Sequence, residues 1–385
     1  MAGVFICWQF CQACSTAAAG LIIEIDYSYD TSGFFQSPQR RETLANAFDS
    51  VNRWVDTLSP IAQSGGNTWT GVVIRPDTGI GTFLDGSGLS IPADTIRVYV
   101  GARNLGANFL ASAERNFALS NGTPAWNDLV RYRGQAGTAQ NADYSPWGGA
   151  ISFNPNFAWH DGIDANGLEP TEYDLFTVAS HEMVHLLGFG TAESFNALIL
   201  DGKFTGPAAV AQSSAANPLL VISADGDHWE PQTNSTIAGQ SVLSLLTPSI
   251  PPGQRLRMSD LDAAALDDLG WEPALAGDLD RDRDVDFNDM FTLVNEYGAV
   301  NAGWSQGDSN GDGLVDFTDA FEAVNNYGAG GAGAQASKDW PAEFAAVVPE
   351  PDLLPLGFIF ALAAMLFSAL RHKTSRVFGV QTSGR

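Results

Sequence analysis

Two histidines four residues apart, His181 and His185, flank Glu182 in the stretch ASHEMVHLLGFG, Ala179 to Gly190. On a helix, positions i and i+4 lie on one face. Both imidazoles can then reach a single ion at the ~2.0–2.1 Å of a zinc–nitrogen bond. Glu182 lies about 100° round such a helix from His181. That is badly placed for joining the same ion but close enough to contact a metal-bound water. Zinc lowers the pKa of that water towards ~7, so Glu182 has the chemistry of a general base. Read blandly, the same residues would be ordinary histidines on an exposed helix. As chemistry, the pair is two-thirds of a zinc site and requires a third ligand.

The chain has five histidines. His372 belongs to the basic tail. His160 sits in NPNFAWHDG ahead of the pair, and His228 in DGDHWE, 40 residues beyond Gly188. Residue types alone leave both open, and His228 could instead be held in a polar loop by Asp225 or Asp227. Gly188, three after His185, lets the chain leave the helix sharply, so that a later segment can return beneath the metal. Three residues further stands Thr191, a poor zinc ligand.

This order (HExxHxxG, an insertion, then a histidine followed by Trp229) resembles the leishmanolysin-like metzincin peptidases. The likeness continues through Phe204-Thr205-Gly206-Pro207, His228-Trp229-Glu230, Leu245-Leu246-Thr247-Pro248 and Leu266-Asp267-Asp268-Leu269-Gly270-Trp271, covering Asp174 to Trp271. The resemblance implies His181, His185 and His228 as zinc ligands, Glu182 as general base, and a peptide or protein substrate. The family carries a methionine in the turn beneath the metal. Leu246 stands at that place here and can fill the same apolar volume. The family also binds substrate along an edge strand above the helix. GGAISFN, Gly148 to Asn154, is the candidate, with an ordinary internal strand as the alternative.

The elements that must hold these residues can be read from periodicity. Ile23–Asp30 alternates as a half-buried strand does. Ser37-Pro38 opens a helix with Leu44, Phe48, Val51, Val55 and Leu58 on one face. Thr70–Ile74, Ile96–Val100 and Ala150–Phe153 read as strands. Gly79 and Gly81 mark a turn. A helix is expected from Thr171 to Leu187 with Gly188 just past its end. Another should start at Ser259 and stop before Gly270-Trp271. Strands and helices in this order give a mixed α/β (α+β) domain over 21–273, with a twisted mixed sheet and the HExxH helix.

Residues 277–330 hold an internal repeat, GDLDRDRDVDFNDMFTLVNEYG from Gly277 and GDSNGDGLVDFTDAFEAVNNYG from Gly307, 30 residues later. In the second copy Asp308, Asn310, Asp312, Asp316 and Asp319 fall at positions 1, 3, 5, 9 and 12 of an EF-hand-type calcium loop, with the Leu314 carbonyl at 7. The first supplies Asp278, Asp280, Asp282, Asp286 and Asp289, with the Asp284 carbonyl at 7 and Arg283 where glycine normally makes the turn. Paired loop–helix repeats with Asp at position 12 resemble dockerins, a small all-α calcium fold that binds cohesins. The Ser-Thr pair that dockerins often use is replaced by Phe287-Asn288 and Phe317-Thr318, so a calcium-stapled spacer is the alternative to a cohesin partner.

The two ends read as addresses. Residues 1–20 are apolar and end in small residues, as in a secretory signal, with Ala17-Ala18-Ala19 as the cleavage site. Little chain separates this leader from the first strand, so no long propeptide is expected. All three cysteines, Cys7, Cys11 and Cys14, lie in it. A mature chain without thiols would rely on metal ions as cross-links. A Gly/Ala-rich linker, 331–348, leads to Pro349-Glu350-Pro351, an uncharged stretch Leu353–Leu370 of bilayer-spanning length, and the basic end RHKTSR. This tail, 349–376, resembles the PEP-CTERM sorting signal of Gram-negative bacteria. It implies an exosortase-type processing enzyme, a transient inner-membrane anchor, and release or surface attachment outside the cytoplasm. The net charge of −25 argues against nucleic acid, which needs clustered Lys and Arg. A zinc endopeptidase is the expectation. The alternative is an inert metzincin scaffold serving as a surface or adhesion protein through its calcium module.

Overall fold

The structure, a computed structural model, describes residues 20–84, 89–135, 143–213 and 220–330. The leader with its cysteines, the 331–348 linker, Pro349-Glu350-Pro351 and the apolar stretch Leu353–Leu370 lie outside the described residues. Among those described, no helix is long and apolar enough to cross a membrane.

In chain order the elements are β1 (Ile22–Asp26), α1 (Pro38–Ser50), β2 (Thr68–Ile74), β3 (Gly81–Leu84), β4 (Thr95–Ala102), β5 (Ala111–Arg115), β6 (Phe117–Asn121), α2 (Pro124–Tyr132), β7 (Gly148–Phe153), β8 (Trp159–His160), β9 (Tyr173–Asp174) and α3 (Leu175–Leu186). There follow α4 (Glu193–Ala197), β10 (Ile199–Leu200), β11 (Lys203–Phe204), α5 (Pro207–Gln212), β12 (Asn234–Ile237), β13 (Gln240–Leu243), α6 (Asp260–Asp268), α7 (Phe287–Glu296) and α8 (Phe317–Asn326). Helices and several separate sheets make this an α+β architecture, as the sequence pattern implied.

The main sheet runs β1-β4-β7-β5, parallel except for antiparallel β5 at its edge. β4 is almost continuously buried because both faces of the sheet are covered. On one face lie α1 and α3, with Leu44, Phe48, Val178 and Met183 packed against Val98, Val100 and Ile151. On the other lie the β3-β2-β6 sheet and α2, with Trp69, Trp126 and Trp147 packed against Tyr99 and Ala150. Fully buried Arg133 caps α2 in a left-handed conformation and donates to the carbonyls of Ser59, Pro92, Thr95 and Pro146, tying three loops and the start of β4 together.

Gly148–Asn154 is not an edge. β7 is flanked on both sides, by β4 and β5, and the edge strand above α3 is β5. Its two glycines have another reason. A Cβ on Gly148 would overlap the Arg97 carbonyl oxygen of β4, and one on Gly149 would overlap the Leu186 side chain of α3. Gly148 makes room for the neighbouring strand, and Gly149 lets the helix approach the sheet. The first helix is also shorter than its apolar face suggested. Ser37 caps it as expected, but it ends at Ser50. Val55 and Leu58 are buried from extended chain, where Val55 N–H donates to the Glu272 carbonyl.

Asp56, next in that extended segment, is 4% exposed and accepts the Glu272 N–H at 2.9 Å. Burial, and behind it the charges of Glu272 and Asp143, push its carboxyl up from 3.8 to about 7. The fold therefore holds a proton that the unfolded chain releases. This favours the native state in acid, and the benefit is lost as pH rises from about 4 through 7. Asp56→Asn keeps the acceptor and removes the titration. In urea unfolding at pH 8 it is expected to be more stable than wild type by about 2–4 kcal/mol, with the gap closing towards pH 4.

Candidate metal centre

α3 carries the pair. Its N-cap Asp174 accepts the Thr177 N–H, and every residue from Leu175 to Leu186 is buried. The helix is shorter at its start than the sequence suggested, because Asp174 with its side-chain cap opens it where Thr171 was expected to. Beyond Leu187 the chain turns at Gly188 (φ 113°) and again at Gly190 (φ 73°). A Cβ on Gly190 would sit 2.6 Å from the Asp227 carbonyl oxygen. Gly190 is thus the point over which the loop carrying His228 returns.

That loop is anchored by the residue after His228. Trp229 is fully buried against Phe189 and Phe204, at ring separations of 4.8 and 5.6 Å. Its indole N–H donates to Asp262 of α6 at 2.9 Å, and its backbone N–H donates to the Leu246 carbonyl at 3.0 Å. Leu246 itself is fully buried.

The three imidazoles converge. Nε2 of His181 lies 3.0 Å from that of His185 and 3.1 Å from that of His228, and the last two are 3.2 Å apart. Each opposite nitrogen faces an acceptor. Nδ1 of His181 meets the Leu245 carbonyl at 2.8 Å, Nδ1 of His185 the Phe189 carbonyl at 2.8 Å, and Nδ1 of His228 the Asp225 carboxylate at 3.0 Å. A carbonyl or carboxylate only accepts, so the proton sits on each Nδ1 and the lone pair on each Nε2. Burial first, and then the neighbouring rings, hold His181 well below the usual histidine range and His185 at about 4, so both are neutral. Three lone pairs aimed at one another, two of them on buried rings, repel unless a cation lies between them. A tetrahedral zinc with ~2.0–2.1 Å bonds sets nitrogens about 3.3 Å apart. The observed triangle fits that ion.

His160 is excluded as the third member of this group. It lies in β8, with Nε2 on the Asp164 carbonyl at 2.8 Å. Thr191 lines the cleft but spends its hydroxyl on the His185 carbonyl at 2.6 Å. Asp225 and His228 are bound to each other as a polar loop would have them, and that contact orients the ring towards the other two. Burial works to raise the Asp225 carboxyl. Bonds from Ser223 and the Asp227 amide, together with His228, outweigh it and keep Asp225 ionised. Asp225→Ala is expected to lower zinc affinity about 10–100-fold, read by competition with a chromogenic chelator, because the His228 ring loses the acceptor that fixes its tautomer.

Glu182 lines the same cleft, 7% exposed. Burial pushes its carboxyl up to about 8, with the Ala113 amide of β5 opposing and Glu114 adding to the shift. The cleft, about 360 Å³, runs between Asn108–Ala113 and the Thr247–Ile250 segment, with Phe157, Tyr173 and Val178 among its walls.

The acidic repeats form a second candidate centre around their own small core of Leu279, Met290, Leu293, Val315, Ala320 and Ala323. The two loops have closely similar hydrogen-bond patterns. Asp278 accepts the amides of Asp282 and Arg283, and Asp308 those of Gly311 and Gly313. Asp289 accepts from Leu279, Asp280 and Asp286, and Asp319 from Ser309, Asn310 and Asp316. In the first loop Asp278, Asp280 and Asp282 bring carboxylate oxygens within 4.8 Å of one another, and so do Asp284, Asp286 and Asp289. The Asp284 side chain, not foreseen as a donor, thus joins the set with a buried oxygen that has no partner. In the second, Asn310 and Asp312 accept the next amides but one, those of Asp312 and Leu314, and Asp316 accepts that of Thr318. Burial pushes Asp278 and Asp308 up to about 7 and Asp289 and Asp319 up to about 6. Buried acids this close together suit a divalent cation held by oxygen.

Comparison of the chain with protein-family models, with curated proteins and with solved structures found no match.

Proposed function

We propose that this chain is a zinc-dependent endopeptidase of the leishmanolysin-like metzincin type. The observation that carries the reading is the triangle of Nε2 atoms at 3.0–3.2 Å, two of its rings buried and the third half-buried, each oriented from behind by an acceptor. Zinc bound there would polarise a peptide carbonyl and acidify a water molecule.

The chain's own groups then have definite tasks. The outer edge of β5 pairs with no other strand among the described residues, so an extended peptide can add to it. Ala111, Ser112 and Ala113 are small enough there for close backbone approach. Phe157, Val178 and Ile250 offer an apolar wall to a substrate side chain beside the scissile bond. Glu182 takes the proton from the attacking water and passes it to the leaving amine. A carboxyl whose burial lifts its pKa towards neutrality suits both halves of that transfer. His181, His185 and His228 act as neutral ligands and hold no proton for the reaction.

The acidic loops complete the reading as calcium sites, formed by Asp278, Asp280, Asp282, Asp286 and Asp289, and by Asp308, Asn310, Asp312, Asp316 and Asp319. The leader and sorting tail would place the protein outside the cytoplasm.

The test uses the purified full chain. One equivalent of zinc and cleavage of casein that stops on zinc removal and returns on its replacement are expected. A zinc-loaded protein that cuts neither casein nor a peptide library would instead favour the inert surface scaffold.

A further inference from the structure

The two acidic loops differ at their fourth and sixth positions, and the difference faces the rest of the chain. These positions hold Arg281 and Arg283 in the first loop and Gly311 and Gly313 in the second. All four are left-handed, with φ of 59°, 75°, 81° and 90°. Glycine adopts this freely, whereas another residue costs roughly 1–2 kcal/mol. The two arginines use it to reach outward. Arg281 donates to the Asn52 carbonyl at 2.9 Å and lies 3.6 Å from Asp49. Arg283 donates to the Val55 carbonyl and pairs with Glu272 at 2.8 Å. At the second loop the direction reverses. Arg53 and Arg257 come from the other side and fill the space that a side chain would need. A Cβ on Gly311 would lie 3.0 Å from Arg53 Nη2, and one on Gly313 would overlap the Arg257 guanidinium. Arg257 lies 3.8 Å from Asp308, the first residue of that loop. Asp49 adds a further tie by accepting the Ser305 hydroxyl at 2.9 Å.

This surface leads directly to the catalytic helix. Asn301, between the loops, accepts from Arg255 at 3.4 Å and from Arg257 at 3.5 Å. Arg255 grips both oxygens of Asp174, the N-cap of α3, at 2.9 and 2.8 Å. Both guanidinium groups also lie over the Phe176 ring, at 4.6 and 4.8 Å. Between them, Leu256 N–H donates to the Thr177 hydroxyl at 2.8 Å. Thr177 is one helical turn before His181.

We infer that the acidic module's partner is the peptidase-like part of its own chain, and that calcium in the second loop holds the first turn of α3 through Arg257 and Arg255. The inference rests on the reading of these loops as calcium sites. Asp308, Asp312, Asp316 and Asp319 repel one another without a cation. The turn that receives Arg53 and Arg257 then loosens, and Arg255 loses its contact with Asn301. With the cation bound, the loop is fixed and the arginines keep the surface they fill.

The experiment follows amide hydrogen exchange in peptides covering residues 174–181 of the full chain. The protein is dialysed free of calcium without chelator and then given calcium, with bound calcium counted in parallel. Calcium is expected to slow exchange there about tenfold. Arg257→Met should still bind calcium but lose the slowing. Asp312→Asn, an alteration on the loop itself, should lose both the second-loop calcium and the slowing. Asp282→Asn in the first loop should keep the slowing. Bound calcium with unchanged exchange, or slowing that survives Arg257→Met, overturns the inference while leaving the calcium sites standing. A chain that binds no calcium removes the calcium reading and the inference with it.

Discussion

Glu182→Gln is expected to bind zinc as the wild type does and to cleave peptides on the order of 10³-fold more slowly, with the loss in kcat. Glutamine has the same shape, so the buried site beneath β5 is not emptied. Glu182 is not among the groups whose nitrogens form the triangle, so its loss leaves the ion's donors intact. What disappears is the one buried carboxylate among the residues that line the cleft with the three rings. Burial has lifted it to about 8, and a nearby cation would favour its ionised form. The two effects oppose each other. Zinc content by absorption spectroscopy and kcat/KM on a fluorogenic peptide make the check. Cleavage retained within about threefold would take Glu182 out of the mechanism, and lost zinc would show that it supports the site instead.

The histidine pair was more legible in the sequence than its support. HExxH fixes the mutual position of His181 and His185 because a helix has a known pitch. Gly188 and the Ser259 cap are local signals and appear where expected. His228 was not derivable from spacing. Its position depends on Gly190, on the burial of Trp229 and on a carboxylate 34 residues further along, at Asp262. The edge strand was missed for a related reason. β5, ASAER, is too short and too polar to announce itself, while the glycines of β7 suggested close approach without saying to what. Glycine records that space is needed, not which neighbour needs it. The acidic loops show the same limit from the other side. Arg283 looked like a defect in a calcium turn. With Arg281, it is a residue by which that turn grips the rest of the molecule.

Asp262→Ala is expected to cost the fold on the order of 4 kcal/mol and to weaken zinc binding as well. Asp262 is completely buried and receives five donors. One oxygen accepts from the Trp229 indole at 2.9 Å and from the Ser244 hydroxyl at 2.5 Å. The other accepts from the Leu245 amide at 2.9 Å, the Ser259 amide at 2.9 Å and the Ser259 hydroxyl at 2.7 Å. Two of these partners belong to residues next to the histidine triangle. Trp229 follows His228, and the Leu245 carbonyl orients His181. Alanine would strand all five donors in a dry interior, where each unsatisfied group costs about 1–3 kcal/mol, not additively. Asp262→Asn separates the two consequences. Its oxygen can serve Leu245 and Ser259, and the Ser244 hydroxyl can rotate to accept from the new amide. The indole N–H cannot accept, so the Trp229 tether alone is lost. The asparagine protein should therefore unfold at higher urea than the alanine protein, yet share most of its loss in zinc affinity. If Asp262→Asn binds zinc like wild type, the carboxylate supports the fold only, and His228 is placed by Asp225 and the aromatic packing around Trp229.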